Sequence, residues 1–250
     1  MISDLLYRKK LGIPYISYIL IACCLVVSIP TYFFPRLYYV FGASMFGQRS
    51  AYFWQNYITS HFEHGSFFVE TQITQGVPLL LHLISNILVV GLFGSIVERL
   101  LGTLKFVLLS LIAVLSNIAA SFAINSFGNG VSGIAWSYGP IVFVIIVKFF
   151  NHDRERLLKD FMLYISMLLF FMMWVFISVR SSWTTNYYHI IATLVGISFI
   201  VINKGAIEKR IKELDGDHME ILVNKRIVVC SIVLPLFLLV ILGLALSGII

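Results

Sequence analysis

The chain has 250 residues, 59% of them hydrophobic and 12% charged, with 18 Lys and Arg against 12 acidic residues for a net charge of +6. Soluble domains carry about 25% charged residues, so the composition excludes a soluble protein and points to an integral membrane protein. The basic excess then reads as a preference for the cytoplasmic face of a bilayer, not as nucleic-acid binding.

The N-terminal MISDLLYRKK puts charge ahead of an apolar segment, as a signal sequence does. No small-residue cleavage site follows it, so the first span is expected to be retained. A spanning helix needs about 20 mostly apolar residues. Seven stretches qualify, at about 13–34, 79–98, 106–124, 130–150, 161–179, 187–203 and 227–249. Runs this long and unalternating satisfy their backbone as helices, not as barrel strands. The expected fold class is therefore all-α, a polytopic membrane helix bundle. Cys23 and Cys24 in the first run and Cys230 in the last show neither metal-ligand spacing nor a paired framework, and read as buried, inert thiols.

Orientation follows from the basic residues of alternate connections. Fifteen of the 18 lie on one side: Arg8 to Lys10, Arg99 and Lys105, Lys148 to Lys159, and Lys204 to Arg226. Only Arg36, Arg49 and Arg180 lie on the other. The expected organisation is a cytoplasmic N-terminus over 1–12, a helical core over 13–203, a basic cytoplasmic connector over 204–226, and a last helix over 227–250 with its end outside. The connector's Asp215, Asp217, His218 and Glu220 lack the pattern of a calcium loop, so it reads as a solvated segment touching anionic lipid. The first external connection, 35–78, is rich in Tyr, Phe and Trp. It is expected to lie against the outer leaflet; a compact cap on the helix ends is the alternative.

The second, fourth and sixth runs enter from the same side, and His82, Ser132 and His189 each stand within the first few residues of one of them. At 1.5 Å of rise per residue, all three lie within roughly 10 Å of the outer ends. Ionisable groups inside spans are costly, face the bundle interior and mark functional sites. A serine hydroxyl needs a base to take its proton, and histidine suits that task. Ser132 and His189 are the expected pair, brought together by the small surfaces of Gly130, Gly133, Ala192 and Gly196. No Asp or Glu stands at this depth, so the pair is a dyad. His82 and Asn86 are four apart and share a helical face. With the backbone N–H of Ser132 they are candidate donors for an oxyanion hole. Trp136, one turn after the serine, reads equally as a stacking partner that holds the His189 ring or as ordinary packing.

These residues resemble the rhomboid family of intramembrane serine proteases. The resemblance rests on His82-Leu-Ile-Ser-Asn86, on GSIVERLLG from Gly94 to Gly102, on Gly130-Val-Ser132-Gly133, and on His189 with Gly196. WQNYITSHFEHG from Trp54 to Gly65 is similar to the family's first-loop motif, and the whole covers about 52–203. It implies a six-helix core, to which the seventh run is an addition, opening outward through a water-filled cavity. It also implies cleavage of single-span or polytopic membrane proteins in or near their membrane segment, without cofactor or metal. The chain departs from the family at Gln55, where Arg is usual, at Tyr188 and Ala192 around the histidine, at Trp136, and in the 17 residues separating His64 from His82. The expected location is a bacterial plasma membrane. A catalytically inactive rhomboid-like binder of membrane proteins is the alternative function. A transporter would show internal repeats or midplane broken helices, and the sequence displays neither. Substrate identity and oligomeric state are not encoded in these motifs.

Overall fold

The computed structural model describes residues 2–7, 12–41, 53–64, 79–124, 130–180 and 183–215. The expected span 227–249 lies outside them. Among the described residues there are helices and no strand. They are α1 (Ile2–Tyr7), α2 (Tyr15–Phe33), α3 (Pro35–Phe41), α4 (Phe53–Thr59), α5 (Leu79–Val89), a π-helical segment (Val90–Gly94), α6 (Ser95–Leu101), α7 (Thr103–Ile124), α8 (Ser132–Ala135), α9 (Gly139–His152), α10 (Arg154–Leu158), α11 (Phe161–Arg180), α12 (Trp183–Ile202) and α13 (Lys204–Asp215). Four stretches, Tyr15–Phe33, His82–Leu101, Thr103–Ala123 and Ser132–Asn151, are each long and apolar enough to cross a membrane. α11 and α12 are apolar helices of 20 residues each.

The outer helices are inside-out relative to a soluble protein. The buried residues of α2 are Ser17, Cys24, Ser28 and Thr31, whose spacing places them on one face. Val26, Ile29 and Phe33 point outward, 72%, 47% and 64% exposed. α7 repeats the arrangement, burying Ser110, Ala113, Asn117, Ala120 and Ser121 while Leu104, Leu108, Leu111 and Leu115 are exposed. Lipid is as apolar as leucine, so helix association rests on close packing of small residues and on interhelical hydrogen bonds. One such bond joins Ser110 Oγ and Tyr138 Oη at 2.7 Å. Ser110 donates its own proton to Phe106 O, so Tyr138 is the donor between them. Bonds of this kind contribute roughly 0.6–2 kcal/mol in membranes.

The serine-bearing stretch occupies the centre. Ile134, Tyr138, Ile141, Val142, Ile145 and Phe149 are all buried, as expected of a helix that is apolar all round and surrounded by others. The run expected as one helix over 130–150 is instead divided into α8 and α9 by a turn at 136–138. Pro140 has no N–H to donate to the carbonyl of Trp136 and its ring crowds that carbonyl. The chain responds by tightening: Ser137 N donates to Ile134 O at 2.9 Å and Tyr138 N to Ala135 O at 3.0 Å. These are i→i−3 bonds of 3₁₀ type, and the backbone stays right-handed helical at Trp136 and Tyr138, so the axis passes through the turn.

At the end of the bundle remote from the serine, Glu98 is 2% exposed. Its carboxylate accepts from Ile16 N at 3.1 Å, Ser17 N at 2.8 Å and Ser17 Oγ at 2.8 Å. The two N–H groups belong to the first turn of α2, have no partner within their own helix and carry the positive end of its dipole. The first-loop segment Phe53–His64 forms a cap on the opposite helix ends. Its Asn56, Ser60, His61, Glu63 and His64 are buried, and Tyr57 stacks on Phe122 of α7 with ring centroids 4.9 Å apart.

Glu98→Ala is expected to lower the thermal midpoint in detergent through loss of about 2–3 kcal/mol of charge-assisted bonding. Glu98→Gln, keeping one acceptor oxygen, loses less. Thermal unfolding of both variants beside wild type checks this; identical midpoints would show that the carboxylate does not hold α2.

Candidate active site

The turn before the serine is built around a glycine with two reasons to be one. Gly130 has φ +102°, in the left-handed region that side chains disfavour. A Cβ there would also stand 3.2 Å from His82 Cε1 and 3.4 Å from His64 Cδ2. The turn is tied to the first loop, with Gly130 N donating to Ser60 O at 2.8 Å and Val131 N to His64 Nε2 at 3.4 Å. That second bond leaves Nε2 bare and places the His64 proton on Nδ1, which lies 2.9 Å from Ser28 Oγ on α2. Ser28 donates onward to Phe62 O at 2.9 Å. Loop, first helix and serine turn are thus one hydrogen-bonded unit.

Ser132 is the first residue of α8, and its Oγ lies 3.1 Å from Nε2 of His189 on α12. The approach of the two helices depends on Gly196. A Cβ at that position would stand 2.2 Å from the carbonyl oxygen of Ser137, a distance at which the helices must separate. Ala192, one turn nearer the histidine, is fully buried on the same face. Trp136 lies face to face with the His189 ring, centroids 4.9 Å apart and planes 26° from parallel. Nδ1 of His189 is buried and has no hydrogen-bond partner among the described residues.

His82 and Asn86 stand one turn apart on α5, which packs against α8. The His82 ring meets the His64 ring edge to face, centroids 5.2 Å apart. Asn86 is 6% exposed, and its Nδ2 is a buried donor with no partner among the described residues. The N–H of Ser132, at the start of a helix, is also a donor without an intrahelical acceptor. The structure therefore brings Ser132, His189, Trp136, Ala192 and Gly196 to one crossing, with Gly130 and His82 against the serine turn and Asn86 on the adjoining helix. Gly133 faces α7, where a Cβ would stand 2.5 Å from Asn117 Nδ2.

Two residues absent from the expected site take part. His64 sits in the first-loop motif, but the 17 residues between it and His82 hide the contact of their rings. Asn117, whose Nδ2 donates to Gly133 O at 2.7 Å, stands seven residues before the outer end of α7. That is about 10 Å from the end, the same depth rule that singled out His82, Ser132 and His189.

An all-helical membrane protein with an interhelical Ser–His contact and a buried unpaired amide beside it is thereby defined. The Rhomboid domain matches residues 79–204, just over half the chain, and the chain belongs to the rhomboid family. Members of that family are usually intramembrane serine proteases that act on membrane-protein substrates within the bilayer. No curated relative matches the chain.

In the cap, burial lowers the pKa of His61 from 6.5 to about 4, partly offset by its hydrogen bond to the Tyr57 backbone. Burial, and then the neighbouring His82, lower that of His64 to about 3. Both are neutral when folded, but take up a proton near 6.5 once released. Their contribution to stability is full above 6.5 and is lost as the pH falls from there toward 4 and 3. The thermal midpoint in detergent is expected to fall between pH 6.5 and 4.5, and His61→Gln and His64→Gln should each flatten the slope. A wild-type slope retained in both variants would assign the loss to other groups.

Proposed function

We propose that the chain is an intramembrane serine endopeptidase that cuts membrane proteins in or near their spanning segment with a Ser132–His189 dyad. The observation that carries this reading is the 3.1 Å contact between Ser132 Oγ and His189 Nε2 across two helices. Nε2 takes the hydroxyl proton as Oγ attacks the scissile carbonyl, and the carbonyl oxygen becomes an oxyanion. Asn86 Nδ2 and the Ser132 backbone N–H donate to it, with His82 beside them. With no partner among the described residues, the Asn86 Nδ2 is available to donate when charge develops. A donor of this kind contributes on the order of 3 kcal/mol to the transition state. The tetrahedral intermediate expels the amine, which receives the proton held by His189, and leaves an acyl ester on Ser132. His189 then deprotonates a water that attacks the ester, and returns the proton to Oγ as the acid leaves.

Nδ1 of His189, which carries the ring proton when Nε2 accepts, has no partner among the described residues, and this supports a dyad over a triad. A third residue would fix the tautomer that leaves Nε2 free to accept; here the Trp136 face holds the ring plane instead. The small residues Gly130, Gly133, Ala192 and Gly196 serve this geometry by letting backbones approach.

Ser132→Ala is expected to abolish both cleavage of a single-span substrate and labelling by a fluorophosphonate probe, with thermal stability nearly unchanged. His189→Ala should do the same, because the hydroxyl then stays protonated. Asn86→Ala should lower kcat by 10²- to 10³-fold and leave KM nearly as it was. Probe mapping on wild type is decisive: a label elsewhere than Ser132 removes the assignment, and no label at all favours an inactive binder.

The six-span core, the seventh span over 227–249 and the location in a plasma membrane belong to the same reading. The site faces outward and the basic end faces the cytoplasm, on the strength of the 15 basic residues at the opposite end. In right-side-out vesicles, a membrane-impermeant thiol reagent is expected to label a cysteine at Ile58 in the cap, 57% exposed. One at Asn151, exposed at the far end of α9, should label only after permeabilisation. The reverse pattern inverts the topology.

A further inference from the structure

The second helical residue after the turn, Gly133, has a carbonyl that its own helix does not satisfy. In an uninterrupted α-helix it would accept from the N–H of Ser137. That N–H goes to Ile134 O instead, at 2.9 Å, as the chain tightens ahead of Pro140. The vacant position is filled from a different helix, by Asn117 Nδ2 of α7 at 2.7 Å. Asn117 is 3% exposed. Its Oδ1 has no partner among the described residues, so the Nδ2 bond to Gly133 O is where its polarity is used. Glycine at 133 is what admits it, since a Cβ would lie 2.5 Å from the amide nitrogen. α7 also lies along α12, the helix that carries His189.

We propose that Asn117 is a positioning residue for the Ser132–His189 pair. It holds the first turn of α8 at a fixed rotation against α7, and so fixes where Ser132 Oγ stands relative to His189. It touches neither substrate nor the reacting atoms. The inference rests on Ser132 being the nucleophile, and the order of the measurements keeps the two separable.

Asn117→Leu keeps the number and branching of side-chain heavy atoms and removes the donor; Asn117→Ala removes the donor and the bulk. A misplacement of about 1 Å costs on the order of 100-fold in rate. Each variant is therefore expected to slow fluorophosphonate labelling of Ser132, counted per molecule that elutes folded in detergent, by 10- to 100-fold. kcat on a single-span substrate falls in parallel, and KM stays within about twofold, because the substrate site is untouched. Ser121→Ala removes a neighbouring bond, from Ser121 Oγ to Asn117 O, and is expected to label at the wild-type rate. Failure of the wild-type chain to label at Ser132 overturns the nucleophile assignment and this inference with it. A wild-type label at Ser132 together with undiminished labelling per folded molecule in both Asn117 variants overturns this inference alone, and a lowered thermal midpoint with normal kcat would make the bond merely structural.

Discussion

The contact between Ser132 and His189 depends on how closely two backbones approach at one crossing. Gly196 rests against the Ser137 carbonyl, with no room for a single carbon between them. That contact sets the spacing of α12 from the serine helix and therefore the 3.1 Å between His189 and Ser132. A Cβ at position 196 would force that gap wider, so the geometry of the pair is bounded by steric fit before it is bounded by charge.

The first-loop cap satisfies the backbone of the serine turn. A turn carrying Gly130 at positive φ exposes N–H groups that a soluble protein would leave to solvent. Here Ser60 O and His64 Nε2 receive them. His64 reaches Ser28 of α2 in turn, so the first helix, far from the serine in sequence, is joined to the turn. At the other end Glu98 serves the start of that same helix. α2 is thus secured at both ends by side chains or loops of other elements, while its lipid face is left to bulky apolar residues.

Much of this was legible from residue type and depth alone. Long apolar runs implied helices, and polar residues near the outer ends of inward runs implied a shared site, because an unpaired polar group in lipid is expensive wherever it stands. What stayed hidden has one physical origin: hydrogen bonds that depart from the regular helical ladder. Pro140 suggests a disturbance, but not that Ser137 would turn to Ile134 and leave Gly133 to Asn117. The first loop reads first as lying against the outer leaflet and only second as a cap, since aromatic content favours the interface. Burial of Asn56, Ser60, His61 and His64 distinguishes them, and burial is a property of neighbours that a linear pattern does not list.

The π-helical segment Val90–Gly94 lies between the two halves of the second membrane stretch, below His82 and Asn86 and above Glu98. A π turn takes up one residue more than an α turn, and one residue on a helix is about 100° of rotation. The two halves therefore do not share a register. That offset lets one continuous run turn His82 toward the serine turn and Glu98 toward the start of α2, two faces that a single unbroken register would place differently.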